Sequence, residues 1–202
     1  MTTPTLENLD YAWWGRPCFG ERVSGDAVVI EERENLLFMA IVDVLGHGPD
    51  AHSLACKITT LLKQTWSYDL PATMLQLHQE LKGTLGAAAS LSILDVETDE
   101  FSYLGVGNTA IRLFGRDSRR LCSTDGIIGN HIRKPITQKL TLGRSQTVLL
   151  YTDGIKDRFE LSDYPQLIYE SSQLVAQNVV KRFNKVYDDA TCIALKYKKC
   201  ST

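Results

Sequence analysis

Apolar positions along this chain change their spacing in blocks, and the blocks predict the elements. Ala27–Glu32 and Leu36–Val42 are two short β-rich runs separated by Arg33, Glu34 and Asn35, the pattern of a hairpin. The spacing then switches. Leu54, Ala55, Ile58, Leu61 and Leu62 recur at helical intervals, predicting a helix of about four turns that begins near Ala51. Pro71 suits a first helical position, and Met74, Leu75, Leu77, His78 and Leu81 continue a second helix. From Ala87 the texture is that of strands. Ala88–Val96, Phe101–Val106 and Ala110–Phe114, broken by turn residues at Glu97-Thr98-Asp99 and Gly107-Asn108, predict a meander. Arg119–Ser123 and Gln138–Leu142 predict short strands around a loop from Asp125 to Pro135, and Thr147–Tyr151 a buried strand. Ser171–Phe183 predicts a third helix with Leu174, Val175, Val179 and Val180 inward, and Cys192–Tyr197 a final strand. Upstream, Tyr11, Trp13 and Trp14 predict an N-terminal strand whose aromatics pack onto the core.

Composition narrows the function classes. The 202 residues are 44% apolar, enough for one full core, so one domain over residues 1–202 is expected. Net charge is −2, with both signs interspersed and no polybasic run, so neither nucleic acid nor an anionic membrane is expected as a partner. Met1–Asp10 lacks the apolar segment of a leader, and no stretch reaches the ~18 apolar residues of a membrane span. Five cysteines, Cys18, Cys56, Cys122, Cys192 and Cys200, are scattered without CxxC spacing. That speaks against a disulfide framework or a zinc site, and a reducing cytoplasmic setting is expected.

The chemistry concentrates where apolar strands run into turns. The run ending at Val42 leads into Asp43-Val44-Leu45-Gly46-His47-Gly48 and then the first helix. In the hairpin, Asp26 at the start of one strand and Asp43 at the end of the next become neighbours. Thr147–Tyr151 ends on Thr152-Asp153-Gly154, and Asp188-Asp189 precede the last strand. So many carboxylates in one place repel one another unless cations lie between them. Oxygen ligands suit Mg²⁺ or Mn²⁺, and two such ions would activate a water for attack on phosphorus. Any one of these aspartates alone is ordinary turn chemistry.

Four blocks carry a resemblance: Ser24-Gly25-Asp26, Asp43 through Gly48 with Ala51 after it, Leu150-Tyr151-Thr152-Asp153-Gly154-Ile155, and Asp188-Asp189-Ala190-Thr191. In this order the chain resembles the metal-dependent serine/threonine protein phosphatases, and within them the bacterial subgroup typified by the stage-II-sporulation-E phosphatase. The resemblance implies an α+β fold, a four-layer α-β-β-α sandwich of two antiparallel sheets flanked by helices, with two Mn²⁺ or Mg²⁺ ions at one end. It implies that Asp43 bridges both ions, that Asp153 and Asp188 complete one, and that Asp26 and the Val44 carbonyl serve the other. Asp188 matches the family's ligand; Asp189 stands beside it as a further candidate for the metal shell. The implied substrates are phosphoserine and phosphothreonine on antagonist-type regulatory proteins of a bacterial stress-signalling complex, a stressosome. Two departures bear on mechanism. Leu45 stands where eukaryotic members carry a histidine, with His47 offset by two residues, and Gly105-Val106-Gly107-Asn108 replaces the subgroup's alanine-glycine-histidine. Arg22 is the nearest candidate for gripping a phosphate. Two rival readings remain at this point: a hydrolase of small phosphoesters, and a silent binding module of the same fold.

Overall fold

The computed structural model of the chain describes residues 6, 9–115, 118–143, 146–160, 164 and 169–197. Its strands are β1 (Leu9–Arg16), β2 (Asp26–Arg33), β3 (Leu36–Val44), β4 (Ala87–Asp95), β5 (Glu100–Val106), β6 (Ala110–Phe114), β7 (Arg119–Leu121), β8 (Gly126–Ile127), β9 (His131–Ile132), β10 (Gln138–Thr141), β11 (Thr147–Tyr151) and β12 (Ala190–Tyr197). Its helices are α1 (Gly48–Thr65), α2 (Leu70–Glu80) and α3 (Ser172–Phe183). Ten strands make two antiparallel sheets, ordered β10-β5-β4-β3-β2 and β1-β12-β11-β6-β7, while β8 and β9 form a small hairpin.

Strand alternation sorts the apolar side chains into three layers. Leu37, Met39 and Ile41 of β3 point between the sheets, against Val148, Leu150, Ile193 and Leu195. Phe38, Ala40 and Val42 point the other way, onto Ile58 and Leu62 of α1. On the far side, Leu149 and Tyr151 face Val175, Ala176, Val179 and Val180 of α3. The result is a helix–sheet–sheet–helix sandwich. The helix starts are fixed locally. Asp69 accepts from the Ala72 amide at 2.9 Å and Ser171 from that of Leu174 at 3.4 Å, caps worth ~1 kcal/mol each.

Several expectations need correction. The three strands from Ala88 to Phe114 are no meander: β4 and β5 pair, but β6 crosses to the other sheet and pairs with β11. The place beside β5 is taken by β10, with Gln138 opposite Tyr103. Gly107, at φ +91°, makes the turn that lets the chain leave. Leu174 is exposed, because the buried face of α3 is Ser172, Val175, Ala176, Val179 and Val180, a helical stripe that leaves residue 174 outside. Leu75 is exposed on α2 for the same reason. The N-terminal strand exists, at the edge of its sheet beside β12. Tyr11 packs against the inter-sheet core, but Trp13 and Trp14 face solvent. Cys18, Cys56, Cys122 and Cys192 are free thiols, and Cys200 lies outside the described residues. No helix among the described residues is long and apolar enough to cross a membrane.

Candidate active site

The carboxylates assemble at one end of the inter-sheet layer. In the β2–β3 ladder Asp26 lies directly opposite Asp43. Asp43 shares its parity with Leu37, Met39 and Ile41, and Asp26 with Val28 and Ile30, so both point between the sheets. The opposing sheet supplies the next groups by the same alternation. Thr152 follows Leu150, and its hydroxyl donates to Asp26 Oδ2 at 2.9 Å while accepting from the Thr191 amide at 3.0 Å. Asp26 Oδ1 is fully buried and has no hydrogen-bond partner.

Asp153 and Asp188 come from the turns beyond β11 and before β12. Asn108 donates from Nδ2 to Asp153 Oδ2 at 2.8 Å, and Lys185 Nζ lies 3.9 Å from the same oxygen. The turn carrying Asp188 is pinned by the Lys185 amide on the Gly154 carbonyl, at 2.7 Å, and by the Asp188 amide on the Lys185 carbonyl, at 3.3 Å. Asp189, next in sequence, is placed differently. It is buried, and its two oxygens accept from the Cys18 and Gly25 amides, each at 2.7 Å. Those bonds hold the segment before Asp26 against β12. Gly25 has no room for a side chain there, since a Cβ would come within 2.9 Å of Ala51 Cβ.

The electrostatics follow from this crowding. Burial, then the facing carboxylates Asp153, Asp188 and Asp189, push Asp43 up to about 7, with Lys185 pulling the other way. Burial and Asp43 push Asp26 well above the usual carboxylate range. Burial and Asp153 raise Asp188. Among the described residues no three acidic, imidazole or thiol side chains close into a ready-made cage. The donor set nonetheless fits hard divalent cations. It consists of carboxylate oxygens around one space, one of them buried without a partner, that repel until a positive charge lies between them.

The other candidates occupy lesser positions. The Val44 side chain belongs to the layer under α1, so only its backbone borders the carboxylates. Leu45 is partly exposed. His47 sits between Gly46 (φ +92°) and Gly48 (φ +79°) as the extended residue before α1, and its exposed ring meets Glu21 at 3.0 Å. His52 contacts the Ser24 carbonyl at 2.9 Å, and the Gly129 amide donates to His78 Nδ1 at 3.1 Å. Arg22 is exposed and lines a separate pocket of about 820 Å³ with Pro49, His52 and Lys57. Sequence reasoning missed Thr152, Asn108, Lys185 and Thr191 as parts of this site. Thr152 and Thr191 stood inside the matched blocks, and strand parity singles them out. Nothing local marks Lys185.

A family model described as Stage II sporulation protein E (SpoIIE) matches residues 33–198. The phosphoserine phosphatase RsbX of Bacillus subtilis (strain 168) is 25% identical over 138 residues, covering 67% of this chain and 69% of that one. A solved structure of RsbX in complex with magnesium superposes with a TM-score of 0.81 at 21% identity, over 95% of this chain and 96% of that chain. A structure described as the bacterial stressosome, a modular system adapted to control secondary messenger signalling, superposes at 0.86 with 23% identity, over 93% of this chain and 98% of that chain.

Proposed function

We propose, since this chain belongs to the stage II sporulation protein E family of PP2C-type protein phosphatases, that it is a Mg²⁺- or Mn²⁺-dependent phosphatase of phosphoserine and phosphothreonine. Its proposed substrates are phosphorylated regulatory proteins of a stressosome-type, partner-switching pathway, and its proposed location is the cytoplasm. The similarity to RsbX and to a stressosome chain supports the pathway. The observation that carries the chemistry is the ring of aspartates around Asp43, with one oxygen of Asp26 buried and unpartnered.

In this reading Asp43 would contribute to both cation positions. Asp153 and Asp188 would hold one, and Asp26 with the Val44 carbonyl would hold the other. Asp189, both of whose oxygens are committed to backbone amides, stays outside that set and fixes the approach of the Asp26 segment to β12. Bound there, the ions would acidify a water and neutralise charge on the phosphoryl group. Thr152 aims the Asp26 carboxylate, and Asn108 that of Asp153. Lys185 offers the rim an ammonium that a phosphoryl oxygen can share.

The test is phosphate release from a phosphoserine peptide and from p-nitrophenyl phosphate, with Mn²⁺, with Mg²⁺ and with a chelator. Metal-dependent release from the peptide is expected. Turnover of the aryl phosphate alone would turn the reading toward small phosphoesters, and no turnover of either would leave a binding module.

A further inference from the structure

Two aromatic side chains stand in solvent beside the carboxylate ring, and the chain spends hydrogen bonds to keep them there. Phe19 is 72% exposed and Tyr187 83%, with Val186 between them at 53%. The rings meet edge to face, centroids 6.3 Å apart at 86°. The Phe19 amide donates to the Val186 carbonyl at 3.1 Å, joining the segment before β2 to the turn before β12. Arg16 ties that turn further, with one guanidinium nitrogen 2.8 Å from Asn184 Oδ1 and 2.5 Å from the Lys185 carbonyl.

Each aromatic is one residue from a group that builds the site. Tyr187 precedes Asp188, the carboxylate beside Asp153, and Phe19 follows Cys18, whose amide holds Asp189. Among the described residues the other exposed rings do not share this placement: Trp13 and Trp14 lie on β1, Tyr68 between α1 and α2, and Tyr169 before α3. The patch thus lies one residue along the chain from Asp188 and from the Asp189-holding Cys18 amide, on segments joined by backbone hydrogen bonds. Exposed aromatics on a rigid frame, with two rotatable side-chain angles each, give contact area at low entropy cost.

We propose that Phe19, Val186 and Tyr187 form a docking lip for the polypeptide that flanks the phosphorylated residue of the substrate. This rests on the phosphatase reading above. With the phosphate inside the carboxylate ring, a small phosphoester ends at the rim. A polypeptide must continue outward, and on the Asp188 side it meets these three residues. Apolar residues next to the phosphoserine find Phe19 and Tyr187, while Lys185 at the start of the same turn faces the anion. The lip thus sets selectivity for polypeptide over small substrates and for apolar flanking residues over glycine.

The probes are two synthetic phosphoserine peptides of equal length, one flanked by leucine and one by glycine, with p-nitrophenyl phosphate as the third substrate and Mn²⁺ throughout. The wild-type protein is expected to favour the leucine peptide over the glycine peptide in kcat/KM. In the double variant Phe19→Ser, Tyr187→Ser, the ratio of kcat/KM for the leucine peptide to that for the aryl phosphate should fall about ten-fold, the size of one interface anchor. Circular dichroism and a thermal melt establish that the variant is folded. The conservative pair Phe19→Leu, Tyr187→Phe should restore most of the ratio. Equal losses on peptide and aryl phosphate would overturn the proposal, as would a wild-type protein indifferent to the flanking residue. A concentration-dependent dimer in sedimentation, abolished by the double variant while peptide preference stays intact, would assign the patch to a second copy and also overturn it. A wild-type protein that hydrolyses none of the three substrates refutes the phosphatase reading and the lip with it.

Discussion

Two carboxylate pairs share the candidate site and are built in opposite ways. Asp26 and Asp43 face each other across one tight hairpin, on strands whose other side chains fill the sandwich. Asp153 and Asp188 come from turns on the opposite sheet and sit nearer the surface, with Asn108 and Lys185 on Asp153. The inner pair is fixed by register and pays heavily in desolvation, whereas the outer pair is fixed by loop contacts and is eased by neighbouring donors. The inner pair therefore lowers the stability of the metal-free protein, and on the proposed reading it is the pair that cations would relieve most. The outer pair, on the same reading, would adjust how cation and phosphate are held.

The largest expected effect comes from breaking the inner pair. Asp43→Asn should lower kcat on the order of 10³-fold, since an anionic ligand to both cation positions is lost. The same change should raise the melting temperature of the metal-free protein, because a neutral amide replaces a buried charge. The sign of the pH dependence follows. With Asp43 raised from 3.8 to about 7, the folded state keeps a proton that the unfolded state has released over that window. This contribution to stability is fully present below 3.8 and is lost as pH rises through about 7. Thermal melts of the metal-free protein should thus fall from pH 5 to pH 8, and Mn²⁺ should raise the melting temperature more at pH 8. A kcat above a tenth of wild type in saturating Mn²⁺ would remove Asp43 from its bridging role.

The adjacent aspartates sharpen the comparison next. Asp188→Asn should weaken Mn²⁺ binding by calorimetry by more than ~100-fold, beyond what the loss of an orienting neighbour costs. Asp189→Asn should leave Mn²⁺ affinity largely intact while lowering the melting temperature by several degrees. Its amide nitrogen would face a backbone N–H, leaving a buried donor unpaired at a cost of about 1–3 kcal/mol. The reverse pattern would shift the assignment by one residue.

Smaller effects test the outer pair and its surroundings. Asn108→Ala and Lys185→Gln should each lower kcat/KM about ten-fold, Asn108 through the orientation of Asp153. For Lys185 the loss should fall mainly on KM. The least change is expected from His47→Ala, because its exposed ring meets Glu21, outside the carboxylate ring. Activity should drop modestly with no shift in the acid limb of the pH–rate profile. A loss of ~10²-fold would return His47 to the proton chemistry.

The inner pair was legible in the sequence and the outer surroundings were not. The hairpin pattern makes Asp26 and Asp43 neighbours, but a three-residue turn at Arg33-Glu34-Asn35 would set Asp26 opposite Val42. Only Glu34 and Asn35 form the turn; Arg33 pairs with Leu36, and that one-residue difference puts Asp26 opposite Asp43. The crossing of β6 did not follow, because Gly107-Asn108 marks a reversal without saying which strand already occupies the edge beside β5. The same blindness hid Asn108, whose amide reaches Asp153 only because β6 changes sheets. Trp13 and Trp14 misled for another reason. Composition predicts burial for tryptophan, but Trp13 and Trp14 point to opposite faces of an edge strand, and both stay exposed to solvent. Leu174 misled because apolar identity was given more weight than the helical stripe.

The position of β12 has a consequence for how the molecule comes into being. Residues 190–197 lie between β1 and β11, with Tyr197 opposite Leu9 and Lys196 opposite Thr147. The β2–β3–β4 sheet can form from its own neighbours early in synthesis. The second sheet cannot close until residue 197 has left the ribosome, and β1 must wait, unpaired on that side, for a partner nearly the whole described chain away. Asp188 reaches its place with the same late strand. A nascent chain stalled before it would hold Asp26 and Asp43 side by side without Asp188, so the carboxylate ring assembles only once residues 188–197 have emerged.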